Sequence, residues 1–179
     1  MVWYVKAVMH NLIGYNLTLA DPAAYVTWGS VSQQAPLLRS GQDNIPMAHW
    51  QPATGTWTGT TGVAMYKVDG PVGNKLAFGV MMPFIGDNKC SVGVYPDIYF
   101  EDPMNPSHVS IDTSINRIFD EDYNRDVARK HMNIRPVWEW TSQTPKYKTW
   151  CTIEQGKEVT ANFYIAPYDY KTPLDSKMM

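Results

Sequence analysis

Residues 60–82 read Thr60-Thr61-Gly62-Val63-Ala64-Met65-Tyr66-Lys67-Val68, then Asp69-Gly70-Pro71-Val72-Gly73-Asn74, then Lys75-Leu76-Ala77-Phe78-Gly79-Val80-Met81-Met82. Two apolar runs of strand length joined by a turn rich in Gly, Pro and Asn predict a β-hairpin. Immediately downstream, residues 90–95 predict a third, central strand, ended by Pro96-Asp97. Upstream, residues 46–57 carry Trp50 and Trp57, and residues 29–44 are rich in Gly, Ser, Gln and Pro, which suits a loop with one short edge strand.

The same reading extends to both ends. Residues 2–8 suit a strand with both faces largely covered. Residues 11–14 then turn the chain back, and residues 16–19, stopped by Asp21-Pro22, complete an opening hairpin. Beyond residue 100, the apolar residues Ile115, Ile118, Phe119, Tyr123 and Val127 recur at helical spacing. Acids come early in that stretch and bases late, which complements the helix dipole and predicts one helix within residues 111–132. Residues 137–141, 147–153 and 159–165 predict three further strands, with Glu154-Gln155-Gly156-Lys157 as the last hairpin turn. Many short strands with frequent turns and a single helix imply an all-β fold, a β-sandwich with one short flanking helix. It is expected to occupy residues 1–166 as one domain, followed by a loose tail over 167–179.

Composition narrows the function classes. The chain has 179 residues, a formal net charge of -2 and only 18% charged residues, with Lys and Arg scattered singly. No basic patch exists to attract a phosphate backbone, so nucleic acid is not an expected partner. No signal peptide and no apolar run of spanning length are evident, so a soluble protein is expected, cytoplasmic until released and then found on a target membrane. Cys90 and Cys151 could form one bridge or remain buried thiols.

The histidines His10, His49, His108 and His131 have no zinc-type spacing, so no metal and no cofactor are expected. No nucleophile elbow, P-loop or dinucleotide fingerprint occurs. Glu101, Asp102, Asp120, Glu121 and Asp122 could pair for glycoside hydrolysis, but acids at a helix start are explained by its dipole. The expected protein is therefore a binder and not an enzyme. Seven Trp, eleven Tyr and five Phe exceed what a core of this size needs, so some rings should be exposed. Trp and Tyr join an apolar body to a polar tip, which suits a lipid headgroup boundary or the apolar face of a sugar. Trp3, Trp138, Trp140 and Trp150 lie in expected strands and suit the core. Trp28, Trp50 and Trp57 lie among Pro, Gly and Thr and are the candidates for exposure.

A family resemblance sharpens this. Thr58-Gly59-Thr60-Thr61-Gly62-Val63, the apolar strand ending in Met82-Pro83-Phe84, and the stretch from Asn88 to Val94-Tyr95 resemble the central block of the actinoporin cytolysins. The opening Val5-Lys6-Ala7-Val8-Met9-His10-Asn11 and the Trp28-Gly29 pair are also similar to aegerolysins. The likeness covers roughly residues 1–100. It implies a sandwich that acts on membranes, with an aromatic phosphocholine pocket beside a Pro-Tyr turn. Met82, Pro83 and Phe84 occupy that turn, and Tyr95 falls in the next strand. The loop over residues 84–90 is shorter than the family's and lacks its aromatic cluster, and the family's N-terminal pore-lining helix has no counterpart ahead of the first strand.

The lipid- or glycan-binding residues expected are thus Trp28, Trp50, Trp57, Met82, Pro83, Phe84 and Tyr95. The partner would be a membrane lipid headgroup or a cell-surface glycan. A cytolysin-like toxin or defence protein would assemble into a homo-oligomer on the membrane or recruit a second, pore-forming protein. The alternative is a lectin, because fungal fruit-body lectins resemble the same sandwich and would stack sugar on Trp50 or Trp57.

Overall fold

The computed structural model describes residues 3–55, 59–70, 75–95, 133–138 and 144–172, with the backbone alone described for Val94, Tyr95, residues 133–138 and Pro145. These residues form eleven strands: β1 (Tyr4–Asn11), β2 (Leu17–Trp28), β3 (Ser30–Ser32), β4 (Leu37–Leu38), β5 (Gln42–Gln51), β6 (Thr60–Val68), β7 (Lys75–Met82), β8 (Lys89–Tyr95), β9 (Asn133–Trp138), β10 (Pro145–Ile153) and β11 (Glu158–Pro167). They make two sheets. The first is ordered β3-β5-β1-β11-β10-β9 and the second β4-β2-β6-β7-β8. All neighbours are antiparallel except β1 and β11, which run parallel from Tyr4↔Glu158 to Asn11↔Ile165. The all-β sandwich is as expected. The helix expected within residues 111–132, and the acids Glu101, Asp102, Asp120, Glu121 and Asp122, lie outside the described residues.

Side-chain alternation builds the core. β1 points Val5, Ala7 and Met9 inward, and β11 points Val159, Ala161, Phe163 and Ile165 inward. Across the sandwich they meet Tyr66 of β6 and Phe78 and Val80 of β7. Phe78 joins the layers, its ring 5.5 Å edge-on from Phe163 and 6.1 Å from Tyr66. Tyr66 is buried, but its hydroxyl donates to the Ala35 carbonyl at 2.8 Å, so its polar end is satisfied. A second apolar cluster, Ala20, Tyr25, Val63, Met65 and Ala77, occupies the opposite face of the β6–β7 hairpin.

Several expectations need correction. The β6–β7 hairpin stands where predicted, but β1 and β2 are not a hairpin. The turn after Asn11 is an arch that carries the chain from one sheet to the other. Buried Asn11 holds that arch, its side-chain amide donating to the carbonyls of Tyr15 at 2.9 Å and Leu38 at 3.0 Å. β2 does not stop at Asp21-Pro22. It continues through that cis bond to Trp28, with its pairing to β6 interrupted between Leu19 and Ala24. Among the described strands β8 lies at an edge of the second sheet and not at its centre. Of residues 46–57, whose Trp residues were expected to be exposed, residues 46–51 with Trp50 belong to strand β5. Of the tail expected over 167–179, the described part keeps contact with the sheet, the Tyr168 amide donating to the Lys146 carbonyl at 3.1 Å and Thr172 being buried, and residues 173–179 lie outside the described residues.

Cys90 of β8 and Cys151 of β10 are free thiols buried in the core. Burial, and then the neighbouring Cys90 thiol, push the Cys151 thiol well above its ordinary range, so Cys151 behaves as a small apolar group.

Candidate functional site

At one end of the sandwich β2, β5, β7 and β10 finish and β1, β3, β6, β8, β9 and β11 begin. Here the apolar surface concentrates. β7 ends when Pro83, which has no N–H for the ladder, follows buried Met82. The chain then leaves the sheet and turns Phe84 and Ile85 outward, 46% and 86% exposed. The Phe84 ring stacks on Trp3, centroids 5.5 Å apart at 24°, and the Lys157 ammonium sits 5.4 Å over the Trp3 ring. Trp28, at the end of β2 beyond a register slip between Val26 and Trp28, is 56% exposed.

Between these rings lies a cleft of about 310 Å³ lined by Trp28, Gly59, Thr61, Met81, Met82, Pro83 and Phe84. Its floor depends on a glycine. A Cβ on Gly59 would stand 2.0 Å from the Met82 carbonyl oxygen and 2.9 Å from Pro83 Cα, so the chain entering β6 can lie against the end of β7 only without a side chain. Thr60 fixes the other wall by donating from its hydroxyl to the Trp28 carbonyl at 3.1 Å.

The loop that presents Phe84 and Ile85 is held by buried Asn88. Its side-chain amide donates to the carbonyls of Glu154 at 3.0 Å and Gly156 at 2.9 Å. Its backbone N–H donates to Gln155 Oε1 at 2.8 Å, and its carbonyl accepts from Gln155 Nε2 at 3.0 Å. Four bonds thus clamp the β7–β8 loop of one sheet to the β10–β11 turn of the other. The apolar tip is therefore fixed by the fold, and a ligand meeting it would face a lowered ordering cost.

Of the residues singled out in the sequence, the fold brings together Trp28, Met82, Pro83 and Phe84, with Met82 as a buried floor. Trp50 is a correction: it lies in β5 and is 0% exposed, its indole packed in the core. Gly62 makes room for it, since a Cβ there would stand 3.2 Å from Trp50 Nε1 and 2.7 Å from the Tyr25 carbonyl oxygen. Tyr95 is a second correction. It pairs with Lys75 at the far end of β8, about 20 Å from Lys89 at ~3.3 Å per residue. The Tyr95 side chain and all of Trp57 lie outside the described residues. Sequence reasoning missed Trp3, taken as core but half-buried against Phe84, and Ile85, whose place in a short loop after a Pro-ended strand was the available signal.

The architecture is shared with two known binding proteins. The lipid-binding protein Nakanori superposes with a TM-score of 0.66 at 12% identity, over 93% of this chain and 72% of that one. The lectin XCL of Xerocomus chrysenteron superposes with a TM-score of 0.53 at 15% identity, over 93% of this chain and 100% of that one. At such identities the likeness establishes fold. No protein-family profile and no curated protein matches the sequence.

Proposed function

We propose that this protein binds membrane lipid through the Trp28 end of the sandwich and performs no covalent chemistry there. The observation that carries this reading is an apolar cleft on a clamped framework, flanked by exposed Trp28 and Phe84, with exposed Ile85 next to Phe84 in the chain. Rings and a branched aliphatic chain at one tip would enter the headgroup boundary, where Trp is favoured, and burial of their apolar area would supply the binding energy. Lys157 beside Trp3 is placed to meet a headgroup phosphate. A lipid-binding protein among the proteins of this fold supports the reading. Among the described residues no helix is long and apolar enough to cross a membrane, so docking is assigned to loops and strand ends.

In the cytolysin-like form of this function, the docked protein self-assembles or recruits a second, pore-forming protein, with avidity from several contacts raising residence on the surface. Co-sedimentation with liposomes of varied headgroup and sterol, together with dye release, tests both levels. Binding that is lost in a Phe84→Ala, Ile85→Ala double variant supports the docking end. Dye release by the protein alone supports a self-sufficient cytolysin, and binding without release supports a partner-dependent one. Absence of binding to every lipid would overturn the proposal. A lectin stacking sugar on Trp50 is disfavoured, because that ring is in the core.

A further inference from the structure

The register of the second sheet gives the cleft between Trp28 and Phe84 a direction. Trp28 pairs with Thr61, Thr61 with Met81 and Met81 with Lys89, so these residues form one row across β2, β6, β7 and β8. Directly paired residues project from the same face of a sheet. That face is the outer one: Cys90 and Val92 of β8 lie in the core between the sheets, whereas Met81 packs with Val63, Met65 and Ala77 on the other side. At ~4.8 Å between strands the row runs about 14 Å from Lys89 to Trp28. Trp28, Thr61 and Met81 line the cleft, and Lys89 stands one strand beyond Met81.

Two properties of this row define a ligand. The first is a small apolar volume. The cleft holds about 310 Å³, and the Thr61 hydroxyl and the Trp28 indole N–H are the only polar side-chain groups in its lining. A methylene is about the size of a water molecule, ~30 Å³, so the cleft has room for roughly ten of them. One alkyl chain fits. A sterol or the paired chains of a phospholipid do not, and a headgroup alone would leave Met81, Met82 and Pro83 uncovered. The second property is charge. Lys89 is half-buried beside Met81, and its ammonium needs a polar partner. Among the described residues no carboxylate forms an ion pair with it. Of the acids at this end, Glu154 accepts from the Thr160 amide at 2.8 Å, Glu158 accepts from the Tyr4 hydroxyl at 3.1 Å, and Asp87 is exposed in the loop. Lys157, 5.4 Å over the Trp3 ring that stacks on Phe84, adds positive potential at the other wall. An elongated apolar wall with a lysine at its end is complementary to a chain that ends in an anion.

We propose that the cleft binds a free fatty acid of roughly ten carbons, its chain along Met81 between Trp28 and Phe84 and its carboxylate on the Lys89 ammonium. Burial of the chain supplies the affinity, and Lys89 supplies the preference for an acid over an alcohol. The inference rests on the same cleft as the membrane reading but requires no bilayer. A fatty acid seated there would compete with vesicles for the docking end.

The test is an NMR titration of the full chain, isotope-labelled in its methionine methyl groups, with hexanoate, octanoate, decanoate, dodecanoate and tetradecanoate below their micelle concentrations and without vesicles. Decanoate is expected to move the Met81 and Met82 methyl signals, assigned through Met81→Leu and Met82→Leu, and to leave the core signals of Met9 and Met47 in place. Affinity should rise about fourfold per added methylene up to roughly ten carbons and level off beyond, where the chain outgrows the cleft. Lys89→Gln should weaken decanoate binding about tenfold and leave the binding of decan-1-ol, which carries the same chain without the charge, unchanged. The proposal falls if no alkanoate moves the Met81 and Met82 signals, if affinity keeps climbing through tetradecanoate, or if Lys89→Gln binds decanoate at full affinity or loses decan-1-ol as well. Vesicle co-sedimentation is read separately, so failure of these titrations leaves the docking end standing, and absence of vesicle binding leaves the fatty-acid site standing.

Discussion

Trp28 and Trp50 are both candidate contact residues in the sequence, but the fold exposes the first and buries the second, so under the proposed membrane reading replacing each by Ala should separate binding from stability. Trp50 is 0% exposed, and its removal leaves a cavity between the sheets. Large-to-small changes of this kind cost about 3–5 kcal/mol, which for a chain of this size lowers Tm by roughly 10 °C. Trp28 is 56% exposed, so its truncation should change stability by less than about 0.5 kcal/mol. Under the proposed reading its effect is on membrane binding. With ~250 Å² for a whole Trp side chain, the exposed share is about 140 Å², worth up to ~3.5 kcal/mol at ~25 cal/mol per Å². Because Ala retains a methyl group and insertion is incomplete, the expected loss is about 1.5–3 kcal/mol, or roughly 10- to 100-fold in vesicle affinity. Thermal unfolding and liposome co-sedimentation, run on both variants, read the two quantities separately. Wild-type vesicle affinity in Trp28→Ala, or an unchanged Tm in Trp50→Ala, would refute the assignment.

Asn88→Ala removes the amide that holds Glu154 and Gly156, and should cost about 1–3 kcal/mol in urea unfolding while also weakening vesicle binding, because the Phe84 loop is no longer fixed. Gly59→Ala places a methyl 2.0 Å from the Met82 carbonyl oxygen, so Tm should fall and the cleft should open, whereas Gly55→Ala, with no neighbouring atom but a positive φ of 79°, should cost only about 1 kcal/mol. The pH dependence should carry a His49 signature. Burial, and secondarily Lys6, hold its pKa below the ordinary 6.5, so the folded state favours the neutral ring. Stability is then full above pH 6.5 and declines as pH falls towards the lowered value, because the unfolded chain binds the proton first. Replacing His49 with Gln should flatten the unfolding free energy across that window, and an unchanged slope would count against the assignment.

What the sequence disclosed was local. The β6–β7 hairpin was legible because its turn chemistry and two apolar runs all fall within 23 residues. β5 was not, because Pro46 and the polar residues before it argue against a strand. The fold tolerates Pro46 at a register shift in the pairing with β1, between Ala7 and Val8. The arch after Asn11 looks like a hairpin turn in composition, and only the buried Asn11 side chain, reaching Leu38, commits it to crossing between sheets. The candidate site was half legible. Met82-Pro83-Phe84 announced itself through the Pro that ends a strand, but whether a Trp is exposed depends on which strand position it takes. Tyr95 could be excluded only by knowing which way β8 runs. The stacking of His10 on Tyr164, ring centroids 4.2 Å apart, was invisible, because it depends on the parallel pairing of β1 with β11, residues far apart in the chain.

That same parallel pair gives synthesis an order of events. Every described strand of the second sheet has been made by residue 95, whereas β1 must wait for β11, which begins at residue 158. About 107 residues separate the end of β5 from that point, a delay of roughly 5–20 s at ~5–20 residues per second. During this interval β1 presents one bare hydrogen-bonding edge at what will become the middle of a sheet. Ribosome-stalled or truncated chains ending before residue 158 should therefore bind one another or a chaperone, and the exposure should end abruptly when the final strand slots in.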